Sequence, residues 1–200
     1  MARAEDNGLG SAKAATQEGL EWDFYDLDFS IQRSRRYHEK LSAFYGVWRD
    51  WIKIISVVAG SGIFVILLVA KASWFAEVVA GFVALWAILD YVIEPAKKAE
   101  KHCELGEQFT DLAILIARSE RSPEALGDLK ARRLEIEKLE PPCKRLIDLQ
   151  ARNDECRARG FPPEDLAPLS WAQRSFGYFV TFGLRRLEDW KADRQRQVSA

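Results

Sequence analysis

The sequence predicts an all-α protein: a transmembrane antiparallel helical hairpin of two spans, extended by cytoplasmic helices that form a helical bundle. Three observations predict it. From Ile54 to Ala70 there are seventeen residues without a charge (IISVVAGSGIFVILLVA), the lower end of what crosses a bilayer core of roughly 30 Å at about 1.5 Å per residue. A second apolar run, Ala72 to Ile93, follows a turn around Lys71–Trp74, and so short a turn sets two apolar helices antiparallel. No stretch of any length shows strand-type alternation.

Taken in order, residues 1–20 are rich in Ala, Gly, Glu and Lys, lack an apolar signal-peptide core, and are expected to be a disordered lead-in. Residues 21–51 form a basic amphipathic helix on the cytoplasmic side. Its stripe is Tyr37, Leu41, Phe44, Trp48 and Trp51, at three- and four-residue steps from about Asp28 onward. The acidic-aromatic stretch before it, Glu21–Phe29 (EWDFYDLDF), alternates only loosely. It reads either as a docking segment for another chain or as an irregular segment packed on its own helices.

Residues 52–93 are the two-span hairpin. Lys53 and Lys71 bracket the first run and can extend their ammonium heads toward an interface. Glu77 and Asp90 interrupt the second about one turn from each end, where a charge costs less than at the midplane. Trp48 and Trp51, Trp74 and Phe75, and Tyr91 fall where aromatic belts belong. A buried soluble hairpin is the competing reading, since core helices are also apolar. Basic residues crowd both outer flanks (Arg33, Arg35, Arg36, Lys40, Arg49 and Lys53; Lys97, Lys98 and Lys101), against Lys71 alone in the turn. The positive-inside rule therefore expects a multi-pass protein of the inner membrane with both termini cytoplasmic.

Residues 94–160 continue as cytoplasmic helices. Glu94-Pro95 should kink or restart the chain. Leu105, Phe109, Leu112 and Ile116 then form a stripe. Ser122-Pro123-Glu124 is a helix start, with Ser as N-cap, Pro at the first position and an acid in the first turn. Leu126, Leu129, Ile136 and Leu139 follow, Pro141-Pro142 breaks the helix, and a further one from about Cys143 ends at Gly160. Residues 161–200 hold a linker and an aromatic-rich C-terminal helix carrying Trp171, Phe176, Phe179, Leu187 and Trp190. That helix lies either on the membrane surface or on the cytoplasmic helices.

Composition narrows the chemistry. With 29 basic and 30 acidic residues, the formal charge of -1 argues against direct nucleic-acid binding. Three Cys at wide spacing (Cys103, Cys143, Cys156) and two His support neither a disulfide framework nor a metal site. Gly60-Ser61-Gly62 lies inside an apolar helix without the Lys-Ser/Thr of a phosphate loop. His102 adjoins Cys103, but adjacency on a helix does not make a nucleophile and base converge. No enzyme and no cofactor is expected.

What remains lies in the spans. Ala76, Ala80 and Ala84 repeat every four residues, as do Ser56 and Gly60. Small residues let helices approach closely in lipid, either within the hairpin or between subunits. Glu77 and Asp90 point roughly 140° apart on the helix. Glu77 shares its stripe with Gly81, Ala84 and Ile88, so it can face a shared axis and supply a cation-preferring carboxylate ring, or simply sit in headgroup water. Asp90, beside Val83 and Trp86, is expected to pair with Lys53.

The stretch Arg33-Ser34-Arg35-Arg36-Tyr37-His38, then Phe44-Tyr45 and Trp48, the hairpin, Arg133-Leu134-Glu135-Ile136-Glu137 and Glu140-Pro141-Pro142 together resemble SLATT-type membrane proteins. These are two-span effector domains associated with bacterial nucleotide-signalling and conflict systems. The resemblance covers roughly residues 31–154. It implies an oligomeric pore-forming or membrane-disrupting effector of a defence system, gated through its cytoplasmic helices. The sequence carries no recognisable nucleotide-sensing domain, so the activating signal is expected to come from a partner protein or signalling component, or from the cytoplasmic helices. A membrane-anchored scaffold whose helical bundle recruits a partner is the alternative.

Overall fold

The computed structural model describes the backbone of residues 2–60 and 73–198; side chains are described from residue 17, apart from 59–60, 73, 75–77, 79–80, 193–195 and 197–198. Among these residues the protein is all-α. Its helices are α1 (Ala2–Gly60), α2 (Ser73–Ile93), α3 (Pro95–Arg118), α4 (Pro123–Glu137), α5 (Arg145–Ala158), α6 (Trp171–Phe176) and α7 (Leu184–Val198), with a 3-10 turn at Pro163–Asp165. The chain divides into two compact units: Met1–Lys40 with Glu104–Ala200, and Leu41–Cys103.

The larger unit is a helical bundle with a conventional core. Phe24, Leu27 and Ile31 of α1 pack with Phe109, Leu112 and Ile116 of α3 and with Leu126 and Leu129 of α4. Glu21–Phe29 thus packs on the protein's own helices, one of the two readings of this stretch, but it is not irregular. The segment is regular helix, because Leu20, Phe24, Leu27 and Ile31 recur at helical steps beneath the loose acid-aromatic alternation. Residues 2–20, expected as a disordered lead-in, are the beginning of the same helix; Ala, Glu, Gln and Lys there are strong helix formers.

Local signals set the other boundaries. The Ser122 side chain accepts a hydrogen bond from the Ala125 N–H (3.1 Å) with Pro123 behind it. The two prolines at 141–142 hold the chain out of helix until Arg145. Gly160, at φ +75°, supplies the left-handed residue after α5 that a Cβ would strain. The single C-terminal helix expected from Ser170 onward is instead two. α6 opens with a capping box, in which Ser170 Oγ accepts from the Gln173 N–H and Gln173 Oε1 from the Ser170 N–H. The chain then turns before α7. Leu184, Leu187 and Trp190 of α7 pack with Leu146, Leu149, Ala167 and Leu169, so this helix covers the bundle. Buried Asn153 staples the connecting loop, exchanging two 2.8 Å hydrogen bonds with Ala167.

The smaller unit is an antiparallel pair of helical arms. Ser42 Oγ donates to the Ala99 carbonyl (3.1 Å), the Tyr45 ring stacks on His102 (5.9 Å), and Trp48 stacks on Trp86 (6.3 Å). From Ser42 against Ala99 to Trp48 against Trp86 the partner number falls as α1 climbs, as it does in antiparallel arms. Between α2 and α3 the expected break at Glu94-Pro95 is present: Glu94 has φ +47°, and its N–H still reaches the Asp90 carbonyl (2.9 Å). Among the described residues no helix is long and apolar enough to cross a membrane. The first expected span falls largely outside those residues; the second coincides with α2, which carries both Glu77 and Asp90.

Candidate functional site

The arms of the smaller unit bury little of what they carry. Leu41 and Tyr45 are buried and Trp48, Ile52 and Ile55 half-buried, one face of α1. On α2 the half-buried face is Val83, Trp86, Leu89, Asp90 and Ile93. All around these faces, large apolar side chains stand exposed: Val47, Trp51, Ile54, Val57 and Val58 on α1, and Val78, Phe82, Leu85, Ile88, Tyr91 and Val92 on α2. A water-soluble surface helix shows one apolar stripe; one apolar around its circumference needs a further apolar environment.

Of the residues singled out in this region, Asp90 is half-buried and Lys53 exposed, and no ion pair joins them. That expected clasp is therefore absent: the bulky Trp86 and Val83 side of α2 turns inward, while Lys53 points out from α1. Ser56 and Ala84 are exposed. The arms meet through bulky residues such as Trp48 and Trp86 instead, which leaves these small residues on the outside. The side chains of Gly60, Ala76, Glu77 and Ala80 lie outside the described residues; Glu77's stripe companions Gly81, Ala84 and Ile88 are all exposed. The indole Nε1 of Trp86 is buried without a hydrogen-bond partner.

The larger unit carries the opposite chemistry. The basic face of α1 meets carboxylates of α5: Arg33 Nε donates to Asp148 (2.7 Å) with a second contact through Nη2, Arg36 Nε to Glu155 (2.7 Å), and Lys40 Nζ pairs with Asp154 (2.6 Å). Arg159 completes the ladder by donating to Glu155 (2.6 Å) and to Asp28 (2.5 Å), with its guanidinium over the Tyr25 and Phe29 rings at 4.7 and 5.2 Å. Burial works against both Arg33 and Arg159, but Asp148 in one case, and Glu155, Tyr25 and Asp28 in the other, outweigh it. Both guanidiniums are held above their ordinary range.

Beside the ladder, Tyr37 Oη accepts the Lys144 N–H (3.0 Å). Burial pushes this phenol up, only partly opposed by that hydrogen bond. The neighbouring Cys143 thiol is likewise raised, by its protein surroundings and by Asp148. A thiol so raised is a poor nucleophile. His38, fully buried, stacks on Phe109 (5.5 Å) with Nε2 3.2 Å from Glu140; its setting is a packed core, not an open cleft.

The sequence reading missed the ladder. Its signal was available: Arg33, Arg36 and Lys40 share a helix face, and Asp148 and Glu155 lie seven residues apart on another. Among the described residues no group of three or more His, Cys, Asp or Glu could hold a metal ion. The larger unit also has a groove of about 770 Å³ lined by Trp22, Tyr25, Asp28, Arg121 and Phe161 among others. Trp22 and Tyr25 are exposed there, set edge to face at 5.8 Å. Comparison with family models, with characterised proteins and with solved structures found no match.

Proposed function

We propose that the chain is an integral membrane protein: a two-span hairpin over residues 52–93, with the helical bundle on the cytoplasmic side, assembling into an oligomeric pore-forming or membrane-disrupting effector. The observation that carries this reading is the ring of exposed large apolar residues on both arms, from Val47 to Val58 and from Val78 to Val92. Lipid satisfies such a surface. The resemblance to SLATT-type domains supports the effector role. The outward-facing Ser56 and Ala84 suit a contact between subunits, where small side chains let backbones approach. Rearrangement of the bundle would gate the path, and Glu77 is the residue assigned to face it.

Reconstitution tests the proposal. Full-length protein in liposomes should release trapped dye or pass ions, and Glu77→Gln should change ion preference. Tight vesicles under every trigger, with no toxicity on overexpression, would overturn the effector reading. Unchanged selectivity in Glu77→Gln would remove that residue from the path.

A second reading, a membrane-anchored scaffold, is favoured by the groove beside exposed Trp22 and Tyr25. A stoichiometric partner lost in a Trp22→Ala/Tyr25→Ala variant would support it.

A further inference from the structure

From α6 into α7 the larger unit exposes a run of aromatic and apolar side chains. Trp171 is 76% exposed, Phe176 51% and Val180 57%, and Phe179 and Phe182 are exposed as well. Arg174, Arg185 and Arg186 are exposed beside them. From Leu166 to Leu187 the sequence contains no Asp or Glu; exposed Glu188 and Asp189 follow on the next turn of α7. No ion pair engages these three arginines among the described residues, whereas Arg33, Arg36 and Arg159 of the same unit are each matched to a carboxylate.

The backbone beneath this surface is anchored. Gln173 is buried, and its Nε2 donates to the carbonyls of Phe182 (3.1 Å) and Gly183 (3.4 Å). Gly177 sits so close to α5 that an added Cβ would lie 3.0 Å from the Leu146 Cβ. Lys144 Nζ also holds the Tyr178 carbonyl. With its backbone tied inward, the segment holds Trp and Phe side chains outward along a stretch that also exposes three guanidiniums. Rings that tolerate both apolar and wet surroundings, interleaved with arginines and free of carboxylates, match a membrane interface bearing negative headgroups.

We propose that residues 171–187 form a second, peripheral membrane contact that docks on an anionic lipid surface. The complementarity is one of charge: a segment that itself carries three arginines and no acid meets negative headgroups while Trp171, Phe176 and Phe179 enter the headgroup boundary. With Glu188 and Asp189 on the next turn of α7 opposing part of that charge, the arginines should strengthen binding by at most about a hundred-fold over a neutral surface. This contact does not require the hairpin to span.

The test is amide hydrogen exchange of the peptide covering 171–187, with full-length protein on phosphatidylcholine vesicles and on vesicles with about a third phosphatidylglycerol. Protection is expected only with the anionic lipid. It should be lost in an Arg174→Gln/Arg185→Gln/Arg186→Gln variant and weakened in Trp171→Ala/Phe179→Ala, while the peptide covering 104–118 exchanges unchanged. No protection on anionic vesicles would overturn the proposal. So would protection that follows protein concentration without lipid, which would mark a second copy, or protection only when a partner protein is added. Sodium carbonate extraction, run in parallel, reports on the hairpin. Extraction together with anionic-lipid protection of 171–187 would remove the spanning hairpin and leave this contact standing.

Discussion

The two units solve the problem of charged and apolar residues in opposite ways. The larger unit buries Phe24, Ile31, Phe109 and Leu112 against one another and matches its basic helix face with carboxylates. The smaller unit leaves Val57, Phe82, Ile88 and Tyr91 outside, and among the described residues no ion pair joins Lys53 and Asp90. The first is organised for water. The second has apolar surface in excess of what its own two arms can cover. Packing within the unit therefore accounts for the larger one, and leaves much of the apolar surface of the smaller one exposed.

Substitution of large apolar residues should separate the units most sharply. Phe109→Ala leaves a cavity in a closed core and should cost about 3–5 kcal/mol of stability, read from denaturant unfolding in detergent. Phe82→Ala, on the outer face of α2, should cost less than about 1 kcal/mol in the same assay. Equal losses would mean that the outer face is covered by protein.

Next in size is the ladder. Glu155 is 5% exposed and serves both Arg36 and Arg159. Glu155→Gln should cost roughly 2–3 kcal/mol, somewhat below the loss from a fully buried pair because Arg36 is partly solvated. The exposed Lys130–Asp23 pair should contribute under about 1 kcal/mol when Lys130 is replaced by Ala.

Alkaline pH gives a third contrast. The Cys143 thiol and the Tyr37 phenol are both raised in the folded protein, from ordinary values of 9.0 and 10.0. Their contribution is complete below those values and lost as pH climbs through the higher folded ones, since the unfolded chain gives up its protons first. The larger unit should melt progressively earlier above about pH 9. Tyr37→Phe should flatten the part of that decline above pH 10.

Much of the fold was legible in residues whose local chemistry leaves few choices. Ser122-Pro123 could only begin a helix, and Glu94-Pro95 could only interrupt one. The stripe Leu105, Phe109, Leu112 and Ile116 is buried throughout. What was not legible depended on partners distant in the chain. Glu21–Phe29 looked irregular because its acids face solvent or pair with Arg121, Lys130 and Arg159 while only Phe24 and Leu27 reach the core. The tail looked continuous because its aromatics keep a helical spacing across a turn that the Gln173 bonds to Phe182 and Gly183 stabilise. The expected Lys53–Asp90 clasp failed because opposition in depth says nothing about which way each side chain turns. For the candidate site, exposure could not be read from apolar content alone: the same run would serve a buried hairpin.

The smallest effect concerns the hinge between α2 and α3. Glu94, at φ +47°, pays the left-handed strain of a residue with a Cβ. Glu94→Gly should stabilise by up to about 1 kcal/mol, less whatever the 2.6 Å Lys97 pair contributes. A loss exceeding that would show the Glu94 side chain to be a working part of the smaller unit.

On the proposed reading, lipid covers the outer face of the smaller unit. The most direct measurement of this is the fate of the full-length protein in isolated membranes washed with high salt and then alkaline sodium carbonate. Retention in the membrane pellet until detergent is added is the expected result. Release of a monodisperse protein into the carbonate supernatant would contradict it.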